Sequence, residues 1–564
     1  MAILGLEGGS DWLTTPATLA VASLSTLYLV LYKLQTAKKH ADEPPIIASG
    51  IPFVGHLLGM ALHGGRYVKS IGLRHRGDKP IFTLPVPFSR IYVVTDPSLA
   101  AAVQRASRTL SFSPLIPDIT ARVLGFSAES VKLLRDKIDP EPGEEKGIIA
   151  DLHDMVWAEL GMGSDSLSEI SLRSTREFAR LVNEYVEAHD RDPEVVDLLV
   201  WIRHFVAVST AAFLYGPGNP LSQDPSLEEA FWDFDHGLGG LLMGVFPSVS
   251  AKKALRGRER LVEAFRAYLE RGGHKDPGAS EIIRKRIEVL TSHGMSLAEA
   301  ARSEVSFLFA GIVNTATTTF WLIVQLYSRP DLLAYIRAEL LAGAVTELDM
   351  GGGDEKPTRL MDQEALKTNC PTLASAFKET LRLGSDFYST RLVKADTTLS
   401  GKYFLAKDAV VQIAGGVIHE DPGIWGASVD KFDPMRFLKL ERGDSSSSSS
   451  SNNGTIPITE EKQETKTANG QQKDGKTNIH PAAFRAFGGG KTLCPGRHFA
   501  THEILAFVGM LVLTVDLEPA DGSKKIVVPE KEDGVMPVHI LEPKTDVRVK
   551  VRVRKDGGRI VVVR

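Results

Sequence analysis

The spacing of apolar and polar positions changes along this chain, and each spacing predicts an element. From Trp12 to Tyr32 no charged residue occurs, and Leu, Val, Ala and Thr dominate. Those 21 residues span about 30 Å as a helix, the depth of a bilayer's hydrocarbon core. Glu7 and Asp11 precede the run, and Lys33, Lys38 and Lys39 follow it, so positive-inside logic puts the chain after Lys33 in the cytosol. A cleaved signal peptide would need an early basic region and a shorter apolar core, and neither is present. The expectation is an uncleaved anchor, with a buried amphipathic helix as the alternative. Pro44-Pro45 and Gly50-Ile51-Pro52 then bias the chain to extended structure, a stiff spacer before the body.

Residues 90–330 read mostly as helices, broken at Gly216-Pro217-Gly218-Asn219-Pro220 and at Gly273-His274-Lys275-Asp276-Pro277. The clearest helix opens with the capping box Ser296-Leu297-Ala298-Glu299 and runs to Arg329, where Pro330 starts the next. Its length of about 48 Å requires it to cross the whole domain. Residues 393–418 alternate like short strands, as in Tyr403-Phe404-Leu405 and Val410-Val411-Gln412-Ile413. From 441 to 480 apolar residues nearly vanish, and Ser445 to Ser451 are consecutive serines. Such a segment buries too little surface to offset its ordering entropy, which predicts a disordered insert. A phosphorylatable or partner-binding segment is the other reading. At the C-terminus Val547, Val549, Val551 and Val553 alternate with Arg548, Lys550, Arg552 and Arg554, and Ile560 to Val563 follow Gly557-Gly558. That pattern predicts a hairpin with one basic face, either solvated or set against acidic lipid headgroups.

Composition narrows the function. The 564 residues are 43% hydrophobic and 24% charged, ordinary for a globular chain with a large core. With 66 basic and 70 acidic residues the net charge is −4, which gives no electrostatic case for nucleic-acid binding. Cys370 and Cys494 are the only cysteines, so neither a disulfide framework nor paired-cysteine zinc spacing exists. The catalytic part is expected in a reducing compartment.

Cys494 carries the chemistry. It sits in the loop Phe487-Gly488-Gly489-Gly490-Lys491-Thr492-Leu493-Cys494-Pro495-Gly496, and an amphipathic helical pattern starts at Arg497. Unpaired backbone N–H groups at a helix start lower a thiol's pKa and favour the thiolate. Glycines let the backbone approach a flat ligand closely, and a thiolate so held suits haem iron. Gly490-Lys491-Thr492 imitates the end of a phosphate-binding loop, but the required first glycine falls on Arg485, so that reading fails. A buried structural cysteine is the remaining alternative.

The pattern Phe487-x-x-Gly490-x-x-x-Cys494-x-Gly496 resembles the haem-binding loop of the cytochrome P450 family. Further motifs resemble the family, in matching order along the chain before Cys494. Glu379-Thr380-Leu381-Arg382 lies on a helical stretch (Leu373 to Leu383), its acid and base on one side. With Arg436 in Phe432-Asp433-Pro434-Met435-Arg436-Phe437, the resemblance makes these a buried charge network behind the haem loop, essential for haem retention. His419-Glu420-Asp421-Pro422 before Trp425-Gly426 matches a structural loop. Arg391 falls where relatives set an arginine against a haem propionate. The arginine or histidine usual two residues before the cysteine is Thr492 here, and no Trp-x-x-x-Arg contact appears near residues 120–160, so propionate anchoring is only partly identified.

On the long helix, Phe309-Ala310-Gly311-Ile312-Val313-Asn314-Thr315 resembles the oxygen-binding segment. The small pair Ala310-Gly311 implies a groove over the haem, and Thr315 with Asn314 is the implied site for handling dioxygen and protons. The usual acid is missing, since Val313 and Asn314 stand there. That departure, with Thr492, looks like the sterol 7α-hydroxylase and prostacyclin-synthase branch.

The resemblance implies a mainly α fold with a small β portion and one N-terminal transmembrane helix. The implied plan is a lumenal stretch 1–11, an anchor 12–32, a basic and proline-rich linker 33–51, and a haem-thiolate catalytic domain 52–564 containing the insert at 441–480. It implies haem b with Cys494 as axial ligand, donating electron density that promotes O–O cleavage. It further implies O2, NADPH-derived electrons through NADPH-cytochrome P450 reductase, and a place in the endoplasmic reticulum membrane with the catalytic domain cytosolic. The implied reaction inserts one oxygen atom into a lipophilic substrate, a sterol, terpenoid or other secondary metabolite. Segments 100–130, 230–250 and 385–392 are expected to touch it. A haem-thiolate isomerase or dehydratase needing no external electrons, and a non-catalytic haem-binding membrane protein, are the rivals.

Overall fold

The apolar N-terminal run forms helix α1 (Pro16–Thr36) in the computed structural model, which describes residues 16–348, 356–442 and 479–563. Residues 1–11 and the first part of the expected anchor lie outside the described residues. The helix continues past Tyr32 and includes Lys33. Among the described residues three helices are long and apolar enough to cross a membrane. Two of these windows are 78% and 72% buried in the body, against 6% for Thr18–Thr36, so of the three α1 alone turns its apolar side chains outward.

The stiff spacer expected after α1 is docked on the body instead. Buried Gln35 donates to the Ser49 carbonyl (2.9 Å) and accepts from the Phe53 N–H (3.1 Å). Buried Glu43 accepts from Arg90 (3.3 Å) and Tyr92 (3.1 Å). A buried carboxylate needs such partners, and meeting that need pins the linker.

The body is built mainly from helices α2 (Ile148–Glu159), α3 (Asp165–Ala188), α4 (Leu198–Tyr215), α5 (Leu227–His236), α6 (Leu297–Tyr327), α7 (Pro330–Gly343), α8 (Pro371–Gly384), α9 (Arg436–Arg442) and α10 (Arg497–Thr514), with further short helices between them. Ser296 caps α6, accepting from the Glu299 N–H at 3.3 Å. Only half of the capping box forms, because the Glu299 carboxylate turns to the Ser127 N–H and Arg302. The helix has 31 residues, about 46 Å, and Pro330 opens α7 as the sequence predicts. The main core surrounds α4, α6 and α10, where Phe178 of α3 stacks on Phe507 of α10 at 4.3 Å.

The β portion is small. Strands β1 (Ile81–Val86), β2 (Ser89–Val94), β3 (Leu110–Ser111), β7 (Tyr388–Val393) and β10 (Val410–Ala414) form one sheet in the order β1-β2-β10-β7-β3. The β2–β10 pair is parallel and the other pairs are antiparallel. A two-stranded ribbon joins β8 (Thr397–Leu399) to β9 (Tyr403–Leu405).

The C-terminal hairpin expected from the alternating pattern does not form. Strand β12 (Arg548–Val553) lies between β11 (Val515–Pro519) and β4 (Glu194–Asp197), whereas β13 (Arg559–Val563) runs parallel to β6 (Thr358–Asp362), itself paired to β5 (Val345–Leu348). The alternation holds, with Val549 and Val551 buried and Arg548 and Arg552 exposed, but the partners come from elsewhere in the chain. Both ends of the segment 441–480 expected as an insert are described. Glu441 lies in the last turn of α9 and pairs with Lys378 (2.7 Å), and His480 accepts from the Ala482 N–H (3.1 Å). Residues 443–478, with the serine run, lie outside the described residues.

Candidate active site

The Cys494 loop is shaped by backbone that only glycine adopts easily. Gly488 and Gly490 have φ of +80° and +61°, and a Cβ on Gly490 would crowd Gln104. The Cys494 N–H donates to the Phe487 carbonyl (2.8 Å), closing the loop at its two marker residues. Gly496 lies beside the sulfur, where a Cβ would meet Sγ at 3.9 Å. The thiol is not depressed as the helix start predicts. Burial pushes Cys494 up and outweighs the Gly496 N–H and the Arg497 guanidinium, which pull it down. A coordinated cation reverses that balance by deprotonating the thiol. The other cysteine, Cys370, is free and buried at the N-cap of α8, with its thiol pushed up to about 12.

Behind the loop, Glu379 and Arg382 of α8 meet Arg436 of α9, and all three are buried. Arg382 grips Glu379 through two bonds of 2.8 Å, and Arg436 Nε adds bonds of 3.0 and 3.1 Å. The remaining donors reach main-chain carbonyls of His419, Val429, Trp425 and Ser428. His419 carries the network forward. Burial lowers its pKa to about 3, so the ring is neutral, with Nδ1–H donating to the Ser385 carbonyl (3.2 Å) and Nε2 accepting from the Arg485 N–H (2.8 Å).

Arg485 thus stands at the front of this network, and Arg391 of β7 stands beside it. Arg391 donates to Thr492 Oγ1 (2.6 Å) and the Gly489 carbonyl (3.3 Å). Arg485 meets the Ser389 hydroxyl (3.3 Å) and the Gln104 carboxamide oxygen, and its Nε has no partner. Both are buried, and among the described residues no carboxylate pairs with either. Burial lowers both pKa values to about 10, that of Arg485 with help from Arg391. Two adjoining buried cations without a protein anion fit a ligand that brings two carboxylates, as haem does. Trp157 of α2 lies under Arg497 (5.1 Å), its buried indole N–H also without a partner.

Along α6 nearly every residue past Gly311 is buried, but Ala310 and Asn314 are exposed and share one face. Gly311 serves packing: a Cβ there would come within 3.0 Å of Thr210 on α4, so the groove belongs to Ala310. Thr315 is turned about 100° from Asn314 and points into the body. Its hydroxyl donates to Glu503 Oε2 of α10 (3.3 Å) instead of facing the open side. Glu503 is fully buried, accepts also from Ser174 (3.1 Å), and is raised to about 8 by burial, so it is protonated at neutral pH. The open face therefore carries Asn314, whose Oδ1 accepts from the Ile540 N–H (3.1 Å).

Arg485, Trp157, Glu503 and Ile540 escape sequence reasoning. Arg485 gave the one signal, a cation two residues before Phe487 that only served to reject a phosphate loop.

Comparison with known proteins agrees with this geometry. Residues 253–544 match the cytochrome P450 family. The chain is 31% identical to the cytochrome P450 monooxygenase nodJ of Hypoxylon pulicicidum over 91% of this chain and 90% of that protein. It is 29% identical to the cholesterol 7-alpha-monooxygenase of Cricetulus griseus over 58% of each. The structure of the retinoic acid-bound cyanobacterial CYP120A1 superposes with a TM-score of 0.62 at 19% identity, covering 91% of this chain and 99% of that one, which speaks for the fold. A cysteine loop closed by glycines, a buried Glu–Arg–Arg network behind it and a matching sequence over most of the chain have one reading: the chain belongs to the cytochrome P450 family of haem-thiolate monooxygenases.

Proposed function

We propose that this protein is a membrane-anchored monooxygenase that inserts one oxygen atom from O2 into a lipophilic small molecule of the sterol, terpenoid or secondary-metabolite kind. The observation that carries the reading is the Cys494 loop flanked by the buried, acid-free pair Arg391 and Arg485. In this reading Cys494 would hold the haem iron through its thiolate, Phe487, Gly490 and Gly496 would shape the loop around it, and the two arginines would hold the propionates. Haem, when bound, supplies the redox chemistry that activates dioxygen. Glu379, Arg382 and Arg436 keep the loop's support rigid. Asn314 faces the oxygen-binding side, and Thr315 acts through Glu503 by tying α6 to α10.

The outward apolar face of α1, followed by Lys38 and Lys39, supports a single-pass anchor with the body in the cytosol, at the endoplasmic reticulum membrane. Electrons then come from NADPH through NADPH-cytochrome P450 reductase. The test is the reduced protein with carbon monoxide, followed by turnover of lipophilic candidates. A long-wavelength Soret band and NADPH-dependent oxygenation are expected, and Cys494→Ala removes the band. Retention of the band in that variant overturns the ligand assignment. Turnover without reductase or NADPH means the isomerase or dehydratase reading.

A further inference from the structure

Asn314 is oriented from outside its own helix. Its Oδ1 accepts from the Ile540 N–H at 3.1 Å, which leaves the Nδ2 donors on the side away from Ile540. The chain just beyond that N–H is held at two successive carbonyls. His539 Nδ1–H donates to the Ile540 carbonyl (2.8 Å), and the Leu541 carbonyl accepts from Trp321 Nε1–H of α6 (2.8 Å). The His539 ring lies against Phe309 of α6, centroids 6.4 Å apart at 61°. Its other nitrogen, Nε2, is 3.2 Å from Asp235 Oδ1 at the end of α5.

The chemistry of that ring follows from its two neighbours. Nδ1 needs its proton for a carbonyl, and the Asp235 carboxylate beside Nε2 raises the ring's pKa against burial, which favours the imidazolium. Asp235 is 2% exposed and neither of its carboxylate oxygens has a hydrogen-bond partner, so the ion pair with this ring is its main compensation. Nearby, Glu542 pairs with Arg203 and lies 3.6 Å from His236.

We propose that His539 and Asp235 are positioning residues for the oxygen-handling face: their ion pair holds the His539–Leu541 segment, and the Ile540 N–H of that segment turns the Asn314 amide so that its N–H donors are presented on the open face of α6, away from Ile540. This rests on the monooxygenase reading and deepens it. A carboxamide so turned offers dioxygen a hydrogen bond but releases no proton, so the protons consumed in turnover come through solvent and not from a side-chain acid at this point of α6.

The test uses the carbon-monoxide complex of the reduced holoenzyme, read by the infrared C–O stretch. An N–H donor to the ligand oxygen lowers that frequency. Asn314→Ala is expected to raise it, and His539→Phe to raise it in the same direction although it touches no ligand. The double variant D235N/H539F, which leaves no uncompensated buried carboxylate, is expected to match the single His539 variant and guards against misfolding. Wild-type frequency in both His539 variants, with a shift in Asn314→Ala, overturns the positioning role and leaves the Asn314 assignment standing. No shift in any variant overturns both. A lowered thermal midpoint without a shift means a structural role and also overturns the proposal. The thiolate Soret band, recorded on the same samples, reports separately on the monooxygenase reading.

Discussion

Arg485→Met separates the stability of the protein from its hold on haem, because the two should move in opposite directions. Arg485 is 1% exposed, and the groups it meets, Ser389 and Gln104, are neutral. Burial and the neighbouring Arg391 bring its pKa from 12.5 to about 10. That difference corresponds to about 3 kcal/mol against the charged form, which nonetheless persists at neutral pH. Methionine has a similar reach and no charge to desolvate. The haem-free variant is therefore expected to gain on the order of 1–3 kcal/mol, read as a higher urea midpoint, the lower figure allowing for the two lost neutral bonds. The haem-bound variant loses a charge-assisted bond to a propionate of about 1.5–3 kcal/mol, or about 10- to 100-fold faster haem loss. The assay is transfer of haem to excess apomyoglobin, followed at the Soret band. Unchanged transfer would refute the propionate assignment. A less stable haem-free variant would refute the claim that this cation is held at a cost.

Three further outcomes are expected. Glu379→Ala strands Arg382 and Arg436 as buried cations and should cost about 3–5 kcal/mol by denaturant, with haem content falling in parallel; unchanged stability would mean the network is not coupled to the fold. Glu503 holds a proton in the native state between about pH 4.5 and about 8 that the unfolded chain has released, so stability falls as pH rises through that window, by roughly 4–5 kcal/mol. Glu503→Gln should flatten that slope in pH-dependent denaturation, and a slope equal to wild type would sink the assignment. Asn314→Ala should raise peroxide released per NADPH, whereas Thr315→Val should cost about 1 kcal/mol of stability with little change in that ratio, since its hydroxyl faces Glu503.

Much of this site is legible in the chain because its signals are local. The Gly-rich approach to Cys494, the three-residue spacing of Glu379 and Arg382, and the Ser296 cap with Pro330 beyond each depend on residues within a turn or two of one another. Local sterics and hydrogen bonds decide such features before any tertiary contact forms. Arg436 was legible only through family order, since α9 meets α8 through a fold that no spacing encodes.

The rest depended on packing between distant segments. Val549 and Ile560 carry correct strand patterns, yet pairing is a choice among all available edges, and β4 and β6 outcompete the neighbouring strand. Helical periodicity says that Asn314 and Thr315 face different ways, but which of them faces the open side was set by Glu503 from α10 and Ile540 from the chain's end. Arg485 reads as an ordinary loop cation until burial strips it of water and leaves it without an acid. The sequence by itself determined the apolar N-terminal helix, the long helix and the glycine-rich cysteine loop, where interactions are short in range along the chain. Tertiary structure alone decided which side chains face inward, because burial and partner choice are properties of segments that meet only on folding.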